Sequence, residues 1–298
     1  MKVLKPYDIK RIVHIKGVDH PESIGIGPGG EAYTTGTAGQ VYRINLADNT
    51  VTQFASTAPR RTLGLAVDAD NDLYVADCSS DSKVIRITQE GKETTYARAP
   101  GGRPFMCANY PVFDRQGNLY LSDSGDWSSK INGRIFKIPP GGGEAQLWYP
   151  EPVDSPTMMA LDRTEHYLYL LECHSQGLAR IAINPDGSAG AFERLLHFPY
   201  MVPHGIAFDT AGRIWLAIYR PDSIWIYYPD TRRLQCFTED WRGEAVRGPT
   251  CLNFAGPQRD VLLVASLDNL VVQRLDHVGA RGVRLNFPYG RGDPAPIA

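Results

Sequence analysis

The feature that most constrains this chain is a unit that recurs six times: a short apolar strand, a turn rich in Asp and Gly, a strand centred on an aromatic residue, and a third strand typified by Val41-Tyr42-Arg43-Ile44. The aromatic-centred strands read Ala32-Tyr33-Thr34, Leu73-Tyr74-Val75, Leu119-Tyr120-Leu121, Leu168-Tyr169-Leu170 and Ile214-Trp215-Leu216, with Leu262-Leu263-Val264 as an aliphatic sixth. Anchored at Gly27, Asp68, Asp114, Asp162, Asp209 and Ala255, the units are spaced by 41, 46, 48, 47 and 46 residues. That period suits one four-stranded propeller blade of about 40–50 residues. The chain therefore reads as all-β, a six-bladed β-propeller of four-stranded antiparallel blades, with repeats at 21–61, 62–106, 107–155, 156–202, 203–248 and 249–288. Each repeat needs its neighbours to bury its faces, so residues 1–298 are expected to form one ring-shaped domain.

A ring must close, because an open blade would leave an unpaired strand edge. Residues 8–16 read as a strand ahead of the first repeat, expected to pair into the last blade beside Arg281–Phe287. Hydrophobic residues make up 43% of the chain, enough for a core, and 29 Gly with 22 Pro supply turns for many short strands. The 31 basic and 33 acidic side chains give a net charge of −2, which exerts no general pull on nucleic acid or an anionic membrane. No uncharged run approaches the ~18 residues of a membrane span, and the first residues hold no apolar stretch of signal-peptide length, so a cytoplasmic protein is expected. Cys78, Cys107, Cys173, Cys236 and Cys251 are odd in number and form no C-x-x-C, which favours buried reduced thiols.

The innermost strand of each blade begins at one mouth of the central channel, so residues equivalent in the repeat become neighbours in space. Five positions before each anchor stand Glu22, Leu63, Asn109, Thr157, His204 and Thr250. A carboxylate, an imidazole and a carboxamide at one level can share a divalent cation; this donor mixture leaves calcium, manganese, iron and zinc open. Pro21 and Pro203 stiffen the approach to Glu22 and His204. A lone Thr at such a mouth is more simply a wetted side chain, so the two titratable residues carry the argument.

Pro21-Glu22-Ser23-Ile24, the Asn109 segment leading into Asp114–Asp123, and Pro203-His204-Gly205-Ile206 resemble the gluconolactonase/senescence-marker-protein family. Leu63-Gly64-Leu65-Ala66 and Leu170-Leu171-Glu172 are similar to its strictosidine-synthase-like branch. The likeness runs from about residue 15 to 288, through loose motifs. It implies a six-bladed propeller with one divalent cation in the channel, held in the lactonase branch by a Glu in the first repeat, an Asn in the fourth and an Asp in the fifth. Here the first is kept as Glu22, while Thr157 and His204 stand at the other two positions. Asn109 matches a third-repeat Asn that contacts substrate or bound water. Thr250 stands where the strictosidine-synthase branch carries its catalytic Glu, which argues against amine–aldehyde condensation.

The expected function is a metal-assisted hydrolase opening a lactone or similar small cyclic ester, with Glu22, His204, Asn109 and Thr157 as metal ligands. His204, Asn109 and Asp126 are the catalytic candidates. Arg103, Asn109, Trp127, Thr157, His174 and Tyr219 are the candidates for holding substrate, with Arg103 suited to a carboxylate. Asp77, Asp123 and Glu172, at the ends of second strands, are further acids expected at the same mouth. Arg43, Arg86, Lys137 and Arg180 recur in register and read as blade packing. A lyase or isomerase using His204 and a carboxylate for proton transfer, and a binding propeller without chemistry, are the competing readings. No G-x-S-x-G elbow or phosphate-binding glycine loop opens a helix.

Overall fold

A computed structural model describes residues 7–289, apart from residues 129 and 241. The anchoring residues explain the repeat. Asp68 accepts the backbone N–H groups of Asp70 and Asp72, Asp114 those of Gln116 and Asn118, and Asp209 those of Ala211 and Arg213, all at 2.8–3.0 Å. A carboxylate that takes two amides of the following turn reverses the chain and starts the second strand.

Six antiparallel sheets result. Their first strands are Pro21–Ile26, Thr62–Val67, Ala108–Phe113, Pro156–Leu161, Val202–Phe208 and Pro249–Ala255, and these pack against one another around the channel. The outer strands follow in chain order in blades one to five, whereas the outermost strand of blade six comes from the N-terminal segment. Blade two carries an additional short strand, Gly143–Glu144, parallel to its outermost one. Among the described residues the helices are two three-residue 3-10 turns, and no helix is long and apolar enough to cross a membrane.

Cross-strand register accounts for the recurring third-strand cations. Tyr33 lies opposite Arg43, Tyr74 opposite Arg86, Tyr120 opposite Lys137 and Tyr169 opposite Arg180. The cationic groups sit 5.3–6.0 Å from those ring centres, within cation–π range. The rings are buried between blades, while the cations reach the surface or an acid such as Asp72.

The ring closes, but by a different pairing from the one expected. Val13–Ile15 is the outermost strand of blade six and pairs directly with Val271–Leu275, Val13 opposite Arg274. Residues 281–289 leave the sheet and cross the far mouth of the channel. Val283 donates to the Phe208 carbonyl, Asn286 to the Phe113 carbonyl, and Ala69 donates to the Pro288 carbonyl. The strap is thus tied to the first-strand ends of blades five and three and to the turn of blade two. Tyr289 ends it among Tyr74, Tyr96 and Phe113. Blade six had no place for this segment because Val13–Ile15 already saturates its edge.

The cysteines also depart from expectation. Cys78 and Cys107 form a disulfide, with Cα atoms 4.5 Å apart. One follows the second strand of blade two and the other precedes the first strand of blade three, ends that neighbouring blades bring together despite a sequence separation of 29. Such crosslinks persist in oxidising compartments, so the cysteines lend no support to a cytoplasmic location. Cys173, Cys236 and Cys251 are free thiols.

Candidate functional site at the channel mouth

The six ring positions share a backbone irregularity. Register slips between Pro21 and Ile24, Thr62 and Leu65, Ala108 and Tyr110, Pro156 and Met159, Pro203 and Gly205, and Pro249 and Cys251. Each slip brackets one of Glu22, Leu63, Asn109, Thr157, His204 and Thr250. A bulge releases a residue from sheet alternation and re-aims its side chain.

Glu22, Leu63, Asn109, His204 and Thr250 converge on one small pocket of about 40 Å³, joined by Arg61 and Trp127. That is room for an ion or a water, about 30 Å³ being one water's share of the liquid. Tyr110, Met158 and Cys251 form its floor. The Glu22 carboxylate makes no hydrogen bond or ion pair among the described residues, and enclosure by protein raises it to about 7 against the weaker opposing pull of Arg61 and His20. Nδ1 of His204 lies 2.8 Å from the Thr250 carbonyl and must carry the hydrogen, leaving Nε2 with the lone pair. Burial lowers the pKa of this imidazole, and the Thr250 carbonyl only partly offsets that. Asn109 lines the pocket; its amide nitrogen donates to Ser124 Oγ at 2.8 Å, while its carbonyl oxygen accepts no hydrogen bond among the described residues.

The remaining candidates are dispersed. Thr157 is fully buried, its hydroxyl has no partner among the described residues, and it is not part of the pocket lining. Arg103 is exposed and turns back to the Pro100 carbonyl. Asp126 is exposed, and hydrogen bonds from Ser128 and Asn132 lower it to about 2, which removes its basicity at neutral pH. His174 packs edge-on to Trp127, ring centres 5.8 Å apart, and does not line the pocket. Tyr219 stands 6.2 Å from the His204 ring and bonds to Asp268. The second-strand acids are committed to structure: Asp123 accepts from Met106, Cys107 and Gly125, Asp77 accepts from Ser79, and Glu172 pairs with Arg194.

Sequence reasoning missed Arg61 and the floor. Arg61 lies two residues before ring position Leu63, an offset that could have been searched. The floor could not have been found that way, because Tyr110, Met158 and Cys251 look like ordinary strand residues until Cys251 Sγ is seen accepting from Ile24 N–H at 3.1 Å and touching Met158 Sδ at 3.6 Å.

Among the described residues no three His, Cys, Asp or Glu side chains converge as a metal cluster. What the mouth offers is one enclosed, unpartnered carboxylate, one carboxamide oxygen and one imidazole nitrogen. That set fits a cation: the charge would relieve the cost of enclosing Glu22, and oxygen donors suit hard ions.

Fold and mouth together define a six-bladed propeller with a polar pocket at one end of its channel. The SMP-30/gluconolactonase/LRE-like region model matches residues 37–268, and the chain belongs to that family. It is 21% identical to lactonase drp35 of Staphylococcus saprophyticus over 63% of this chain and 60% of that relative, so it spans about 60% of the length of the curated protein it matches. Among solved structures, the gluconolactonase of Xanthomonas campestris superposes with a TM-score of 0.74 at 17% identity, covering 88% of this chain and 87% of that one. Regucalcin of Agrobacterium tumefaciens, described as a calcium-binding protein, gives 0.73 at 18% identity, covering 91% and 93%. These structural likenesses establish the fold.

Proposed function

We propose that this protein is a hydrolase that opens a small lactone at the channel mouth bearing Glu22, Asn109 and His204. The observation that carries the reading is the convergence of these three residues, from blades one, three and five, on one pocket where the Glu22 carboxylate has no hydrogen-bond or ion-pair partner among the described residues. Family membership and the lactonase named among its relatives support a cyclic ester as the substrate class. Glu22 and the Asn109 carbonyl oxygen would hold a divalent cation, which when bound supplies Lewis acidity toward a ring carbonyl.

His204 acts as the base. Its lowered pKa keeps Nε2 unprotonated at neutral pH, and the Nδ1 bond to Thr250 fixes the ring. Nε2 takes a proton from water as the water oxygen bonds to the carbonyl carbon. The ring C–O bond then breaks, and the departing alkoxide receives that proton from His204, giving the hydroxy acid. The pocket admits only the reacting group, so the rest of the substrate lies over the rim, against Trp127 and beside Arg61.

The test is a panel of aldonolactones and aromatic lactones assayed with calcium, manganese, iron(II) and zinc, together with metal analysis. Expected is ring opening by the wild type, loss of both bound metal and turnover in Glu22→Gln, and loss of turnover with metal retained in His204→Ala. Full activity in both variants would overturn the assignment of this mouth. Loss of metal in His204→Ala would make the imidazole a ligand in place of a base.

A further inference from the structure

The channel holds a second compartment at the opposite end, with a volume of about 650 Å³. Small-molecule sites commonly measure about 300–1,000 Å³. Tyr110 and Met158 border both compartments, so the floor of the first is the ceiling of the second. Ile26, Leu65, Met159, Ile206 and Phe208 wall it, and the strap residues 283–288 cover it.

Two features make this interior suited to an apolar body. First-strand amides facing the channel would ordinarily ask for water, but Ile24 N–H is met by Cys251 Sγ at 3.1 Å and Ile206 N–H by Met158 Sδ at 3.2 Å. The buried Asn253 carboxamide is also occupied, accepting from Phe254 N–H at 3.0 Å and donating to the Ile24 carbonyl at 3.4 Å. Buried water needs two to four polar partners, and these groups are already taken.

The rim is selective by charge. Its acids are satisfied within the protein: Asp162 accepts from Thr164 and Tyr167, and Glu165 from Arg115 and Asn286. Arg163 and Arg284 line the same compartment and pair with no acid among the described residues. Close by, Arg259 stacks 5.3 Å from the Phe287 ring, has a buried Nη1 without a partner among the described residues, and feels repulsion from Arg284. An anion at this rim would relieve that repulsion.

We propose that the strap-covered compartment binds an amphipathic monoanion, a medium-chain carboxylate whose apolar body lies within the cavity and whose carboxylate meets Arg284 and Arg163. The test is calorimetric titration of the whole chain with decanoate and, separately, with 1-decanol. Saturable decanoate binding at one site per chain is expected. The double variant Arg163→Gln/Arg284→Gln should weaken decanoate about tenfold, as loss of charge-assisted hydrogen bonds does, while leaving 1-decanol unchanged. Glu22→Gln, altered only at the other mouth, should bind decanoate like the wild type. Absence of saturable binding, unchanged decanoate affinity in the arginine variant, or its loss in Glu22→Gln would each overturn the proposal.

Discussion

The Glu22 carboxyl keeps its proton to about 7, against an ordinary 4.5, because enclosure penalises the anion more than Arg61 and His20 support it. A folded-state pKa above the unfolded value means that the folded protein binds the extra proton between those two values. Stability is therefore greatest, for this group, below about 4.5 and is lost as pH rises through about 7. Glu22→Gln should accordingly stabilise chelator-treated protein at pH ~8 by roughly 1–3 kcal/mol and give no gain near pH ~4. Melting temperatures of the two proteins across pH check this; a pH-independent difference would refute the enclosed, unpartnered carboxylate. The position of Glu22 in the repeat was readable from the sequence. Its isolation was not, because partners depend on side chains from other blades.

At the scale of elements, the bulges that start the first strands of blades one, three and five bring Glu22, Asn109 and His204 to one mouth, and the Cys78–Cys107 crosslink ties the blade-two and blade-three sides of that mouth together. Trp127 donates its indole N–H to Cys107 Sγ at 3.4 Å, so the rim aromatic rests on the disulfide. The double variant Cys78→Ser/Cys107→Ser should lose about 2–4 kcal/mol in urea unfolding. Its Trp127 emission should change, because the quenching disulfide is gone; an unaltered spectrum relative to a Trp127→Phe control would contradict the contact. The absence of C-x-x-C misdirected the sequence reading of these cysteines. Adjacency between blades makes such a motif unnecessary.

At the scale of the molecule, stability depends on closing the ring. Ile15 is fully buried in the strand that completes blade six, far in sequence from its partner Val272. Ile15→Ala should cost about 2–5 kcal/mol in chemical denaturation. Removal of residues 1–16 exposes the Val271–Leu275 edge and should lower the unfolding midpoint further, with self-association visible by light scattering. An unchanged midpoint and a monodisperse truncated protein would show that the strand does not secure the ring.

The sequence by itself determined the blade, since Asp-anchored turns, aromatic centres and third-strand cations are local consequences of strand alternation and cross-strand register. It also ranked Glu22, Asn109 and His204, because equal offsets within a repeat become equal heights in a ring. Only the tertiary structure decided that Thr157 stays outside the mouth pocket, that Cys78 meets Cys107, and that residues 281–289 cross the far mouth. Those outcomes rest on contacts between segments remote in the chain, where packing and the competition for a free strand edge choose the partner, and no local pattern encodes that choice.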